Sequence, residues 1–323
     1  MTTTTKGKEP AFVLVYGRSG IGKTSDTGFS FPGGVFLAAP GALKPLPALC
    51  GYEPTQVQVG TIEEATAAIS AVVKTGGYDS IIVDDFSFLA EQTMAALERK
   101  HTGFAVFGHL RDTVLAFRQA ARYAGLHVVV NAWERQPKMN NGVFSRGGPD
   151  LTGKLPEQLP AMCDLVLRAD REEGRTPWAG VYRVNGGAQY VGKDRDAGTP
   201  DPAPMNLGEI LRHNGYAVQR LAGLDWQEDV VEDLALRLLA EPAKKEQDRM
   251  VEATYSDLMG HGIDHRHAYW TCRDGLDRAM LRRAAAARRS TFFGPKPTGA
   301  AGLLAGGAAS TPTAATVAAP SKT

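Results

Sequence analysis

Residues Gly17–Thr24 read GRSGIGKT, and this stretch decides the fold. It fits the pattern G-x-x-x-x-G-K-[ST] without a mismatch. The apolar run Ala11–Tyr16 (AFVLVY) before it predicts a buried strand, and a helix is expected to begin at Lys23. Glycines allow the backbone of such a loop to wrap around a phosphate group, and the helix N-terminus adds partial positive charge. The sequence therefore predicts a phosphate-binding loop.

All eight loop residues are candidates for nucleotide binding, and we expect the nucleotide to be ATP with magnesium. They are Gly17, Arg18, Ser19, Gly20, Ile21, Gly22, Lys23 and Thr24. The Lys23 ammonium is expected to reach the β- and γ-phosphates, and the Thr24 hydroxyl is expected to coordinate Mg²⁺. The alternative interpretation is a chance match in a glycine-rich loop.

A second apolar run, Ser80–Asp84 (SIIVD), predicts a strand that ends in a carboxylate. Parallel strands deliver such a residue to the sheet edge beside the phosphate loop. Asp84 is therefore the candidate to hold magnesium through its water shell, and Asp85 the candidate to orient the attacking water. The alternative for Asp84 is a helix-capping aspartate.

Strands and helices alternate along residues 11–200, which predicts an α/β fold with a mainly parallel sheet and right-handed crossovers. Further strands are expected at Val35–Ala39, His127–Asn131 and Asp164–Ala169, followed by a hairpin of Val181–Val184 and Gln189–Val191. Helices are expected at Thr61–Thr75, Phe88–Lys100 and Gly108–Tyr123.

The chain divides into four predicted regions. Residues 1–10 are a disordered leader, and residues 11–200 form the phosphate-loop domain. Residues 201–293 form a helical extension, with amphipathic helices at Trp226–Ala240, Lys244–Met259 and Ala268–Arg289. Residues 294–323 contain mostly Ala, Gly, Thr and Pro, which predicts a disordered tail.

Composition excludes several classes of protein. The formal net charge is +1, so the chain is not a uniformly basic nucleic-acid binder, and any such contact must come from local clusters. The three cysteines lie far apart without a CxxC pair, which favours reduced, buried thiols over disulfides or zinc. No apolar run is long enough for a transmembrane helix, and we expect a cytoplasmic protein that does not contact membranes.

The order of these motifs resembles that of the RecA-like recombination ATPases. It resembles more closely the compact phage-encoded, AAA-type ATP-binding members that act as ATP-dependent single-strand annealing or recombination proteins. The resemblance covers roughly residues 11–197. It is carried by these segments: GRSGIGKT, VFLAAPGALKPL, IIVDD, HVVVNA, LPEQLPAMCDLVLRA and YVGKDR.

The resemblance implies a RecA-like P-loop fold with ATP between adjacent subunits of a filament or ring. Lys193 and Arg195 would reach across the interface to the neighbour's γ-phosphate. Pro40 is a departure, because the family places its catalytic glutamate there. Either Asp85 or Glu134 substitutes, or turnover is slow, or the chain binds ATP as a switch.

The family also places a sensor side chain after its fourth strand, and Asn131 is the best candidate for that role. Next along the chain, the segment Trp133–Gly153 is predicted to be a long loop that binds single-stranded DNA. Cations that contact phosphates and aromatic rings that stack on bases are interleaved there, which is typical of such a surface. These residues are Trp133, Arg135, Lys138, Phe144 and Arg146.

The alternative for this loop is an active-site lid; the residues alone leave both open, and the resemblance favours DNA. Basic residues at Arg99-Lys100-His101 with Arg111, and the cluster Arg282, Arg283, Arg288 and Arg289, are further candidates. Solvated helix surfaces are the alternative for both.

We therefore expect a RecA-like protein that hydrolyses ATP and acts on single-stranded DNA in phage recombination, annealing or replication, in the host cytoplasm. Hydrolysis is expected to be stimulated by DNA, and a single-strand binding protein or another replication protein is a candidate partner. The alternative is an ATP-gated adaptor or loader, or another P-loop motor, with weak or no hydrolysis.

Overall fold

A mainly parallel sheet forms the centre of the computed structural model, which describes residues 8–140, 142–171, 180–219, 227–263 and 265–293. The strands, in chain order, are β1 (Phe12–Gly17), β2 (Val35–Ala38), β3 (Thr55–Gln58), β4 (Ser80–Asp84), β5 (His127–Arg135), β6 (Lys138–Asn140), β7 (Val143–Ser145), β8 (Gly148–Pro149), β9 (Leu165–Arg171), β10 (Gly180–Arg183), β11 (Lys193–Asp194) and β12 (Ala203–Pro204).

The strand order places the phosphate loop and Asp84 on either side of one strand. Across the sheet the order is β12-β10-β9-β1-β5-β4-β2-β3, and the strands from β9 to β3 are parallel. β5 lies between β1 and β4, with Trp133 beside Gly17 and Val130 beside Val83. The carboxyl ends of these three strands therefore meet at one edge of the sheet. The expected α/β fold with a mainly parallel sheet is confirmed.

Helices cover both faces of the sheet. They are α1 (Lys23–Ser30), α2 (Leu46–Cys50), α3 (Ile62–Thr75), α4 (Phe86–Glu98), α5 (Ala105–Tyr123), α6 (Leu155–Met162), α7 (Leu207–His213), α8 (Gln227–Ala240), α9 (Lys244–Gly260) and α10 (His265–Phe293). The α3 helix begins as its sequence predicts, because the Thr61 side chain accepts a hydrogen bond from the Glu64 amide.

Two apolar cores hold these layers together. Alternate residues of β1 face opposite cores: Leu14 packs in a core with α3, α4 and α5, and Val15 packs in a core with α2 and α7. Burial on both faces explains the uninterrupted apolar runs FVLVY in β1, IIV in β4 and VVV in β5. The exposed edge strand β3 has the polar sequence TQVQ, which explains why the sequence did not predict it.

The C-terminal helices α8, α9 and α10 pack around a third core that includes Leu234, Leu238 and Leu258. α10 also reaches the body of the protein, because its Trp270 is buried in the core that contains Val15. The domain boundary expected at residue 200 stays a prediction; the sheet continues to β12, which pairs with β10.

Two local predictions are wrong. The expected hairpin of Val181–Val184 and Gln189–Val191 does not form, because β10 pairs with β9 and β12 instead. The segment Trp133–Gly153 is not an irregular loop, because β5 continues to Arg135 and the chain then forms a β6–β7 hairpin. Short polar strands give little periodic signal, so the sequence does not distinguish them from a loop.

Several expectations fall outside the described residues: most of the leader, the tail at 294–323 and the side chains of Arg288 and Arg289. All three cysteines are buried, and burial raises the pKa of their thiols, to about 11 for both Cys50 and Cys272 and further for Cys163. Within the described part of the chain, none of the helices has the length and apolar character needed to cross a membrane.

Two glycines provide a matched test of packing. A Cβ atom at Gly192 would overlap the carbonyl oxygen of Val184, whereas a Cβ at Gly108, inside α5, meets no atom within 4 Å. We expect Gly192→Ala to lower the free energy of unfolding by about 2 kcal/mol or more through overpacking. Gly108→Ala should raise it by about 0.5–1 kcal/mol, because alanine favours a helix. Urea denaturation measures both, and equal effects would contradict the packing at Gly192.

Candidate active site

The phosphate loop joins the buried strand β1 to helix α1. Residues Arg18 to Gly20 are exposed, and α1 begins at Lys23, as the sequence predicts. Gly22 precedes the helix with a φ of 107°, a conformation that favours glycine and turns the chain into α1. The loop therefore leaves the positive N-terminus of α1 at the sheet edge, where it can bind phosphate.

The Lys23 side chain folds back over this loop. Its ammonium donates hydrogen bonds to the carbonyl oxygens of Gly17 at 2.9 Å and Arg18 at 3.2 Å. Burial lowers the pKa of Lys23, while the charge of Asp85, followed by those of Asp84 and Glu134, opposes that shift. The lysine is thus surrounded by carboxylates and held at the loop.

Thr24 and Asp84 come together as the sequence predicts. The Thr24 hydroxyl donates to Asp84 Oδ2 at 2.8 Å, and the Asn131 amide donates to Asp84 Oδ1 at 3.1 Å. Asp84 is 4% exposed, and burial raises its pKa although the hydrogen bonds from Thr24 and Asn131 lower it. One residue from each of α1, β4 and β5 therefore builds this cluster.

This cluster fits a magnesium ion. Hydroxyl and carboxylate oxygens are the ligands that Mg²⁺ prefers, together with phosphate oxygens. A cation would also compensate the buried charge of Asp84. Asn131 Oδ1 is buried and, among the described residues, has no hydrogen-bond partner. A hydrated metal beside Asp84 would supply a donor for that oxygen, so the residues present suit magnesium bound with a nucleotide.

Asp85 lies next to the cluster and caps helix α4. Its Oδ1 accepts a hydrogen bond from the Ser87 amide at 2.8 Å, so Asp85, rather than Asp84, is the helix-capping aspartate. Burial, followed by the charge of Asp84, raises the pKa of Asp85 to about 7. A carboxylate with this pKa can exchange protons near neutral pH.

Glu134 lies at the same edge but is already paired. Its side chain is fully buried and accepts from Arg168 Nε at 3.0 Å, with Arg18 Nε at 4.0 Å. Arg168 also stacks on the ring of Tyr190 at 3.7 Å. Because the Glu134 carboxylate is already engaged by Arg168, Asp85 suits the role of a base better than Glu134. Pro40 is exposed beyond the end of β2 and supplies no carboxylate.

Lys193 and Arg195 lie away from the phosphate loop of their own chain. β11 pairs with the beginning of β9, near the opposite edge of the sheet. The Lys193 ammonium donates to the carbonyl oxygens of Ala161 at 2.9 Å and Cys163 at 2.6 Å. Arg195 pairs with Asp164 at 3.0 Å. These two side chains stabilise the end of α6 within one subunit, and their contact with a neighbouring subunit stays a prediction.

The candidate DNA-binding residues separate into two groups. Lys138 and Phe144 lie on the exposed β6–β7 hairpin. Trp133 and Arg135 are half-buried in β5, and the guanidinium of Arg146 donates to the carbonyl oxygens of Gly187 and Tyr190. The hairpin therefore exposes Lys138 and Phe144, while Arg146, which follows β7, connects the hairpin to the segment that contains Gly187 and Tyr190.

Sequence reasoning missed two charged residues of the site. Asp26, in the first turn of α1, is 1% exposed and accepts hydrogen bonds from the Tyr182 hydroxyl at 2.7 Å and the Leu207 amide at 3.1 Å. Arg168 pairs with Glu134. A signal existed for Arg168, because a lone charge interrupts the apolar run LVLRA of residues 165–169. For Asp26 the partners come from distant segments, so its sequence neighbourhood contains no such signal.

A family described as an AAA domain matches residues 9–196. The chain belongs to this AAA-domain family. The match includes the phosphate loop, Asp84, Asp85, Asn131 and Glu134, and the AAA domain ends before β12 and all of the C-terminal helices. A search of curated protein sequences gives no significant match.

Two solved structures are similar to this chain. The KaiC-like protein of the hyperthermophilic archaeon Pyrococcus horikoshii OT3 is 17% identical, with a TM-score of 0.40 over 66% of this chain and 91% of that chain. The RadB recombinase is 16% identical, with a TM-score of 0.38 over 55% of this chain and 82% of that chain.

The raised pKa of Asp85 gives the AAA domain a testable pH dependence. An unfolded aspartate titrates near about 4, whereas the folded pKa is about 7. Between these values the folded state binds the proton more tightly, so the free energy of unfolding falls as pH rises from about 4 to about 7. Asp85→Asn removes this dependence and keeps an acceptor for the Ser87 amide.

The measurement is urea denaturation without nucleotide at pH 5, 6, 7 and 8. We expect the wild type to lose stability relative to Asp85→Asn from pH 5 to about pH 7, with the difference levelling off towards pH 8. A constant difference between the two proteins at all four pH values would contradict the raised pKa.

Proposed function

We propose that this chain binds ATP with magnesium and hydrolyses it, and that it does so on single-stranded DNA during recombination, annealing or replication. The observation that carries the proposal is the cluster at one sheet edge. Thr24, Asp84 and Asn131 are hydrogen-bonded beside Lys23, and Asp85 lies next to them with a pKa near 7.

The mechanism assigns one task to each residue. The loop amides and the N-terminus of α1 bind the phosphates, and Lys23 exchanges the carbonyl oxygens of Gly17 and Arg18 for phosphate oxygens. Thr24 and Asp84 would hold the magnesium ion, which neutralises phosphate charge when it is bound. Ionised Asp85 accepts a proton from the attacking water while the oxygen of that water bonds to the γ-phosphorus. The bond from the γ-phosphorus to the bridging oxygen breaks, and ADP leaves.

The continuity of β5 supports stimulation by DNA. In this strand Asn131 is hydrogen-bonded to Asp84, and Trp133 is paired with Gly17 of β1. The next residue, Glu134, lies near Arg18 of the phosphate loop. It then continues into the β6–β7 hairpin, on which Lys138 and Phe144 are exposed. A strand moved by DNA at the hairpin would shift the polar groups around the phosphates. The resemblance to phage-encoded recombination proteins supports the same assignment.

Assembly into a filament or ring is part of the proposal. Arg195 has a side chain that is 52% exposed, and it shares Asp164 with Arg122. It can therefore turn to a neighbouring subunit's phosphate without leaving Asp164 unpaired. A single-strand binding protein or another replication protein is the candidate partner of the assembly.

A second candidate function is an ATP-gated adaptor or loader with weak hydrolysis. Two observations favour it: Pro40 stands where the resembling family has its catalytic glutamate, and Arg168 already neutralises Glu134. In that case ATP binding alone would control the partner of the C-terminal helices.

The first test is ATP hydrolysis with and without single-stranded DNA. We expect DNA to raise turnover, and Lys23→Ala to abolish it because the lysine binds the transferred phosphate. The double variant Lys138→Ala, Phe144→Ala should weaken DNA binding by roughly tenfold, since a stacked base and a phosphate contact are lost. Anisotropy of a labelled oligonucleotide measures this affinity.

Lys74→Ala is the matched control for the hairpin variant, because Lys74 is exposed at the end of α3, near the opposite sheet edge. It should bind DNA like the wild type. ATP binding without any response to DNA would reject the recombination proposal and favour the adaptor.

Subunit mixing tests the role of Arg195. Lys23→Ala and Arg195→Ala should each be inactive alone, since one lacks the loop lysine and the other the side chain donated to a neighbour. In an equimolar mixture, about a quarter of the interfaces combine an intact loop with an intact Arg195, so activity should return to about that fraction. If the mixture is as inactive as its components, Arg195 acts only within its own subunit.

A further inference from the structure

A cavity of about 490 Å³ adjoins the phosphate loop. Its wall includes Gly20, Ile21 and Gly22 of the loop, together with Ser25 and Phe29 of α1. Binding sites for small molecules commonly measure about 300–1,000 Å³, so the cavity can hold a nucleoside. Because loop residues form part of its wall, the cavity is connected directly to the place where phosphates would bind.

Part of the cavity wall, at Arg171 and Gly180, lies on the side of the loop away from Asp84. Besides the loop and α1, Gly180 at the start of β10 contributes to the wall. β10 and β9 flank β1 on one side, whereas β5 and β4 flank it on the other. A triphosphate whose γ-phosphate lies near Asp84 and Asp85 directs its nucleoside to the opposite end of the loop. That end opens into this cavity.

Two residues outside the AAA domain complete the wall. Met205, which follows β12, is 3% exposed, and its methyl carbon lies 3.9 Å from a Cβ placed on Gly22. Arg266, in the first turn of α10, has its guanidinium 5.4 Å from the centre of the Phe29 ring. A thioether, an aromatic ring and a guanidinium together suit a flat heteroaromatic base with polar edges.

Arg266 is fixed in this position by an ion pair. Its Nη1 lies 3.6 Å from Oδ1 of the buried Asp26, and 20% of the arginine side chain is exposed. Asp26 belongs to the same helix that begins with Lys23. The ion pair therefore joins α10 to the phosphate-binding helix and leaves the planar guanidinium at the cavity wall.

We infer that this cavity binds the base and ribose of the nucleotide, and that Phe29, Met205 and Arg266 form its binding surface. The inference rests on the proposed function and adds to it: the C-terminal helices supply part of the nucleotide site. A ligand that contacts both parts stabilises their association. Nucleotide binding is thereby coupled to the position of α10.

The experiment uses the full chain and compares two probes, Mg·ATP and magnesium with inorganic tripolyphosphate. Arg266→Ala removes the guanidinium, and Phe29→Leu removes the ring while keeping an apolar side chain beside it. Arg249→Ala, at an exposed arginine of α9, is the matched control. Calorimetry measures each affinity, and circular dichroism confirms that every variant is folded.

We expect Arg266→Ala and Phe29→Leu each to weaken ATP binding by about tenfold, as the loss of a stacking partner does. Tripolyphosphate should bind these variants within about twofold of the wild type, because it has no base. Lys23→Ala should weaken both probes. Equal losses for the two probes, or none for either, would overturn the cavity assignment. A wild type that binds neither probe would overturn the proposed function, and the inference with it.

Discussion

The buried carboxylate of Asp26 holds the phosphate-binding helix in place. A buried ion costs several kcal/mol unless it is paired, so Asp26 enforces the position of each of its partners. Tyr182 comes from β10, the Leu207 amide begins α7, and Arg266 lies in the first turn of α10. Three elements distant in sequence thus converge on the first turn of α1. The direction in which the loop amides point depends on this convergence.

The same constraint unites two regions that the family match separates. The AAA domain contains Asp26 and Tyr182, whereas Arg266 lies far beyond it. At the other side of α1, Thr24 and Asn131 donate hydrogen bonds to Asp84, and all three residues belong to the AAA domain. The helix is consequently fixed on one side by the sheet edge that would carry the chemistry. On its other side it is fixed by the C-terminal helices.

Local patterns predicted the parts of the fold that depend on neighbouring residues. GRSGIGKT and SIIVD are such patterns, and the strand, loop and helix follow in the expected order. Pairing between distant segments leaves no local trace, which is why the sequence predicts the wrong partner for β10 and a loop in place of the β6–β7 hairpin. The site divides in the same way: Thr24 and Asp84 were predicted, whereas Arg168 and Asp26 acquire their roles only through tertiary contacts.

The burial of the cysteines has a practical consequence. Only a thiolate reacts readily with maleimides, and the raised pKa values of Cys50, Cys163 and Cys272 keep these thiols protonated and enclosed. A single cysteine introduced on the exposed hairpin would therefore be modified selectively without removing the native three. A fluorophore or spin label attached there would report how the hairpin moves when nucleotide is added.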